Sequence, residues 1–202
     1  MNPVVLPQKA QAMKTLLSRL LHIEHTPWSY RGDFIVHMAA ILLLAALLAW
    51  AAPPAQRAPL GIAAAVAALS WSLIEYIVHR FILHGVQPFR RWHAAHHSQP
   101  RALICTPLLL SATLVGTLVF LPAWLLSDRW QATALTLGLL VGYLVYALTH
   151  HAIHHSGANG LWLRQRKLCH ALHHGAGRPP GYYGVTSRLW DDIMGTAHEH
   201  DY

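Results

Sequence analysis

Charge is the first thing this chain has little of. Asp, Glu, Lys and Arg together make up 11% of its 202 residues, where a soluble domain carries about 25%. So few charges cannot cover a water-facing surface of ordinary size. The remainder leans the other way: 54% of the chain is hydrophobic and its mean hydropathy is +0.31. Cysteine is also scarce. Cys105 and Cys169 are too few for a disulfide framework; the first falls in an apolar stretch and the second inside a histidine cluster. Acidic residues number 8 against 15 Lys and Arg. That imbalance can signal nucleic acid, but here the basic residues stand between apolar runs, which is the pattern of membrane topology, so no nucleic-acid partner is expected. Met1 to Leu21 has no long apolar core and no small-residue cleavage site, so no cleavable signal peptide is expected.

The apolar runs are long. A helix needs about 20 mostly apolar residues to cross a bilayer, and four stretches qualify: Phe34–Ala52, Leu60–Val78, Leu103–Leu126 and Trp130–Leu148. Short links, Pro53–Pro59 and Ser127–Arg129, join them into two helical hairpins. Pro107 and Pro122 mark ends or kinks of the third span. Gly138 and Gly142 leave a small-residue face on the fourth, open to another helix or to an acyl chain running from the bilayer. Residues 10–22 read as an amphipathic helix, with Met13, Leu17 and Leu20 on one face and Gln11, Ser18 and His22 on the other. Residues 1–33 therefore form an interfacial segment and 34–202 the membrane domain. Of the 15 Lys and Arg, only Arg57 and Arg129 lie in the links within the hairpins. The excess of positive charge puts both termini and the segment between the hairpins in the cytosol.

Histidine is the surplus, at 17 residues. A tag would be one terminal run; these are spread. Four clusters matter: His79 and His84 after the second span, preceded by Glu75; His93, His96 and His97; His150, His151, His154 and His155 after the fourth span; and His170, His173 and His174. Every cluster falls on the expected cytosolic side. Residues at i, i+3 and i+4 share a helix face, so each HxxHH triplet can converge on one metal region. His79 and His84 diverge by about 140° on an ideal α-helix. They flank one site only if the helix ends or bends between them; otherwise they serve different metals. Protonated together, these imidazoles would repel; buried and unbound, they would leave nitrogens unpaired. Metal binding removes both problems. First-row metals take four to six ligands, so the histidines suffice for two ions. Zinc binds such nitrogens well but has no redox chemistry, so iron is favoured for oxidation, with zinc an expected occupant of purified protein.

These motifs resemble the fatty acid hydroxylase and sterol desaturase superfamily of membrane di-iron enzymes, and most of all the fatty acid 2-hydroxylases. Glu75-Tyr76 through His79-Arg80-Phe81-Ile82-Leu83-His84, His93-x-x-His96-His97, Gly142-Tyr143-x-x-Tyr146 with His150-x-x-x-His154-His155, and His170-x-x-His173-His174 follow one another in that family's order. The tail Tyr183-Gly184-Val185-Thr186-Ser187-x-x-Trp190-Asp191 is similar to its closing segment. Ala147 stands where an acidic residue is usual and His151 where an aromatic is usual.

The resemblance implies an all-α integral membrane protein, with two hairpins under a cytosolic histidine-rich helical cap. Its metal ligands would be His79, His84, His93, His96, His97, His150, His154, His170, His173 and His174. The implied reaction is hydroxylation of a lipid C–H bond, fatty acyl favoured, at two iron ions with dioxygen as co-substrate. Carotenoid or sterol hydroxylases and desaturases share these boxes. A metal transporter or sensor is the non-enzymatic alternative; it would need polar ligands along the spans, where His37 stands almost alone. Glu75, Tyr143, Tyr146, His155, Tyr183, Trp190 and Asp191 are candidates for orienting the ligands or lining the substrate pocket. Electrons are expected from an external donor, ferredoxin or cytochrome b5-like, with Arg90, Arg91, Arg164, Arg166 and Lys167 as a basic docking patch. A bacterial inner membrane is the expected location.

Overall fold

The computed structural model describes residues 25–104, 106–175 and 180–198. The amphipathic segment 10–22 and Cys105 lie outside the described residues. Among those described, the regular elements are helical. Helix α1 is Pro27–Ala51, its first turn capped by Thr26, whose side chain accepts from the Ser29 N–H. Helix α2 is Arg57–Ile77 and runs on into a wider π-helical turn, Val78–Leu83. Helix α3 is Phe89–Ser98. Helix α4, Leu108–Leu126, starts after Pro107 and carries a π-helical stretch at Gly116–Phe120. Helix α5 is Arg129–His155, capped by Asp128, which accepts from the N–H groups of Trp130 and Gln131. Helices α6, Leu161–His173, and α7, Leu189–Ile193, complete the chain.

Four helices are long and apolar enough to cross a membrane: α1, α2 with its preceding and following turns, α4 and α5. The spans start and stop a few residues from the sequence-based limits. Two shifts matter. Helix α1 begins at Pro27, which draws Asp33 into the span. The second and fourth spans continue past their apolar stretches, through His79 and as far as His155.

Helix α5 is the centre of the assembly. Half of its apolar stretch is buried, against none of that of α4. Outward-facing side chains such as Leu42, Leu43, Leu69, Leu118 and Leu125 stay exposed, as a lipid-facing surface requires. The short links of both hairpins are as expected, but the tightest packing crosses between hairpins, α2 against α5. Gly138 and Gly142 explain why. A Cβ at Gly138 would sit 2.1 Å from the Ala64 carbonyl oxygen, and one at Gly142 would sit 2.3 Å from the Trp71 Cβ. Both glycines admit the backbone of α2. The acyl-chain route expected along this face is thus filled by protein.

Close approach of α2 and α5 carries their C-terminal ends, with the first and third histidine clusters, to the same place. Helices α3 and α6 bring the other two clusters in from the side. The segment 180–198 then folds back across the end of α2: Trp190 Nε1 donates to Ser72 Oγ, and Tyr76, 1% exposed, meets Thr196.

Candidate metal centre

The π-helical turn decides what the first cluster can do. Its wide hydrogen bond, from the His84 N–H to the His79 carbonyl at 3.3 Å, spans five residues instead of four. Residues five apart then stand about one turn apart instead of diverging. The His79 and His84 rings come within 5.3 Å, centroid to centroid. The bend needed for both to serve one site is therefore built into the backbone.

The ten histidines come together in two groups. Ligand nitrogens of His79, His84, His93, His97 and His173 lie within 4.8 Å of one another, as do those of His96, His154, His170 and His174. His150 adjoins the second group, its Nε2 lying 3.1 Å from that of His96 and 3.2 Å from that of His154. The HxxHH triplets do not converge as units. Helix α3 gives the i, i+4 pair His93 and His97 to the first group and His96 to the second. Helix α6 does the reverse, giving His170 and His174 to the second group and His173 to the first. The groups interlock where the His97 and His174 rings stack at 4.1 Å. An i+3 residue lies on the far flank of its i, i+4 pair, so a helix running between two sites feeds both.

The nitrogens suit a metal. His79 Nδ1 bonds the Tyr183 carbonyl at 2.6 Å, and His173 Nδ1 bonds the Gly181 carbonyl at 2.7 Å. A carbonyl can only accept, so each ring carries its proton on Nδ1, and Nε2 is a bare lone pair. These lone pairs face further nitrogens, His79 toward His93 at 2.9 Å and His173 toward His84 at 3.2 Å. A cation between them satisfies both at once. Metal–imidazole bonds of about 2.0–2.1 Å put opposed ligands roughly 4.2 Å apart, within the observed spread. Burial also keeps these rings uncharged, and neighbouring imidazoles add to the effect. His96 and His173 are pushed down to about 3 and His97 to about 4. His84, His93, His170 and His174 are lowered as well, burial being the main cause in each. Neutral imidazole is the metal-binding form.

Two carboxylates hold the loop that supplies the carbonyls. Asp191, completely buried, accepts from the Tyr183 and Gly184 N–H groups, each at 2.8 Å, and from Thr196 Oγ1 at 2.7 Å. Glu75 accepts from the Val185 and Thr186 N–H groups and from Thr186 Oγ1. Neither carboxylate bonds a histidine of the two groups; both act through the loop. Gly184 is required there, since a Cβ would meet the Ser187 carbonyl oxygen at 1.9 Å. From Arg80 a hydrogen-bond chain runs through the Tyr76 hydroxyl and Thr196 Oγ1 to Asp191.

Beside the centre lies a cavity of about 110 Å³. Its walls include Phe34, Leu83, Phe89, Trp92, Tyr143 and Tyr146, and it ends on His93, His96 and His150. Of the expected pocket residues, Tyr143 and Tyr146 line it, with the Tyr146 ring parallel to His150 at 5.9 Å. Tyr183 packs its ring near His79, His84 and His173. Trp190 ties α7 to α2. His155 is exposed and stacks on His151, which bonds the Tyr30 hydroxyl; both rings lie outside the two groups. Cys169 is buried beside Arg166 and belongs to neither group. The basic patch loses two members: Arg166 is 4% exposed, and Lys167 Nζ donates to the Ser156 and Ala158 carbonyls. The sequence reading missed Asp33, which lines the cavity. Its signal was the i, i+4 spacing to His37 on the face that also carries Tyr30.

The fatty acid hydroxylase family pattern matches residues 64–196. The chain belongs to the fatty acid hydroxylase family. All ten clustered histidines fall within that match, whereas Asp33 and His37 precede it. The chain is 33% identical over 152 residues to the dihydroceramide fatty acyl 2-hydroxylase FAH2 of Arabidopsis thaliana, covering 68% of this chain and 61% of that protein. It is 30% identical over 133 residues to the fatty acid 2-hydroxylase of Homo sapiens, covering 60% of this chain and 35% of that protein. This hydroxylase-family chain thus spans between a third and two thirds of the length of these relatives. Among solved structures, full-length Scs7p, in which only the hydroxylase domain is visible, superimposes with a TM-score of 0.73 at 22% identity, covering 86% of this chain and 68% of that one. That likeness is one of fold: a helical membrane protein.

Proposed function

We propose that the protein hydroxylates a C–H bond of a fatty acyl chain in a membrane lipid, at two iron ions held by its histidines. The observation that carries this is the junction of two imidazole groups with a cavity, walled in part by Phe34, Leu83, Phe89 and Trp92, that reaches His93, His96 and His150. The first ion would be held by His79, His84, His93, His97 and His173, and the second by His96, His150, His154, His170 and His174. Bound iron would supply the redox chemistry by which dioxygen, with two external electrons and two protons, places one oxygen atom in a C–H bond and leaves the other as water. The protein's own part is positional. Tyr183 and Gly181 carbonyls fix two ring tautomers and turn lone pairs inward, as outer partners of metal ligands do. Glu75 and Asp191 hold those carbonyls still. Phe34, Leu83, Phe89 and Trp92 exclude water and guide the chain, and Tyr146 braces His150.

The excess of positive charge outside the hairpin links supports a cytosolic face for the centre; the membrane proposed is a bacterial inner membrane. An external ferredoxin or cytochrome b5-like donor reaches it there, and exposed Arg90, Arg91 and Arg164 offer the positive charge such an acidic partner needs. The relatives named as fatty acyl hydroxylases support an acyl substrate over a carotenoid or sterol. The test is direct. Iron-loaded protein in lipid nanodiscs, given a reducing system and ¹⁸O₂, should yield an acyl chain carrying one ¹⁸O by mass spectrometry. Product oxygen drawn from water, or a desaturated chain without added oxygen, would overturn the proposal.

A further inference from the structure

His155 belongs to neither histidine group, yet its surroundings are those of a ligand. It is exposed, and its ring contacts among the described residues are with two other imidazoles. His151, one turn earlier on α5, stacks on it with centroids 4.8 Å apart and planes 25° from parallel. His154, of the second group, has its centroid 6.4 Å away. Solvent, His155, His154 and the second group thus follow one another. Protein holds the His151 ring. Its Nδ1 lies 3.3 Å from the Tyr30 hydroxyl, and the Tyr30 and Phe34 rings pack on it at 5.6 and 5.9 Å. Nδ1 is thereby engaged, and Nε2 is left for a further partner.

Histidines at i and i+4 share a helix face. An exposed ring turns freely, so His155 can bring a nitrogen to the same ion as His151 Nε2. Two imidazoles fill half or less of the shell of a first-row ion, and water completes it. Two local fields oppose each other. The carbonyl end of α5 attracts a cation, while the charge of Arg101 reaches His155 and repels one. Such a site is weak and exchanges its ion readily. The cage is the opposite, with more nitrogens and deeper burial around each ion.

We propose that His151 and His155 form a third metal site, for a divalent first-row ion, from which the ion passes to the second histidine group. This rests on the two-site reading above. Transfer is ligand exchange between neighbouring imidazoles: a bond to His155 breaks as one to His154 forms, with no change of oxidation state. An ion held one ring from its destination is locally concentrated there. His154 belongs to the second group, so that group alone should fill faster.

The experiment titrates metal-free protein in nanodiscs with zinc against a chromophoric chelator and follows uptake by stopped flow. Wild type should bind two tight equivalents and a third, weak one that desalting removes. His155→Ala and His151→Phe should each lose the third and keep the two; phenylalanine preserves the packing on Tyr30 and Phe34. In both variants one of the two filling phases should slow about tenfold, the other staying unchanged. His155→Cys supplies a thiolate at the same place and should restore the third equivalent and the rate. No third equivalent in wild type, or one that survives in both variants, overturns the site. Loss of the third equivalent with both filling rates unchanged overturns the transfer. Loss of a tight equivalent in both variants overturns the proposal too, since the rings would then support the cage instead of feeding it. Absence of tight binding in wild type would sink the two-site reading; two tight equivalents without a third sink this inference alone.

Discussion

Replacing Asp191 by asparagine changes one atom in a buried side chain more than ten residues from the nearest clustered histidine in sequence. Its consequence should appear at the metal. Oδ1 receives hydrogen bonds from the Tyr183 N–H and Thr196 Oγ1, and Oδ2 receives one from the Gly184 N–H. Asparagine keeps one acceptor oxygen. In its better orientation that oxygen retains the two bonds of Oδ1, and the new amide group opposes the Gly184 N–H. One buried donor loses its partner, at about 1–3 kcal/mol. Each kcal/mol lowers the melting temperature of a chain this size by about 2–4 °C. Repulsion displaces the loop that carries the Gly181 and Tyr183 carbonyls, on which the His173 and His79 rings depend. Losing such an outer partner costs about 10–100-fold in metal affinity. Both carbonyls serve the first group, so the loss should fall on one of two binding events. Calorimetric titration of metal-free protein with zinc separates the events. Two affinities equal to wild type, or an equal drop in both, would refute the claim that Asp191 acts through this loop.

Other outcomes follow from the same geometry. Gly142→Leu should unpick α2 from α5, since the first added carbon already meets the Trp71 Cβ; overpacking costs about 1–3 kcal/mol, and thermal melts with metal analysis should show stability, metal and activity falling together. Full metal content with loss confined to long chains would restore the channel. Chelation should remove metal in two phases, the second group first, because His96, His170 and His174 have no partner on Nδ1 whereas His79 and His173 are fixed by carbonyls; a single phase by metal analysis contradicts this. Metal-free protein should lose stability as pH falls below 6.5, the ordinary imidazole value, toward about 3. The unfolded chain takes up protons through that window, while His96, His97 and His173 resist until about 3–4. Melting temperatures that rise on acidification would reverse the sign.

Much of this site was legible in the sequence because histidine clusters and apolar runs both carry strong local signals. The spans follow from composition and the four histidine clusters from spacing, while the choice of ten ligands among the clustered histidines came with the family resemblance. The partition between the two groups follows from none of these. It depends on the angle at which α3 and α6 run past both sites, which no spacing within one helix encodes. The π-helical turn at Val78–Leu83 was equally hidden, because its residues have no propensity that sets it apart from a regular helix. Glu75 and Asp191 were recognisable as candidates for orienting the ligands, but the loop through which they act lies more than a hundred residues from Glu75. Asp33 escaped because the apolar count begins at Phe34, although helix α1 starts at Pro27.

The central claim is that the clustered histidines form two adjoining metal sites with crossed contributions from α3 and α6. Anomalous diffraction at the iron edge, from crystals of iron-loaded protein, tests it most directly. Two peaks per chain are expected, one amid His79, His84, His93, His97 and His173 and the other amid His96, His150, His154, His170 and His174. A single peak, or two peaks that each draw on one intact HxxHH triplet, would contradict it.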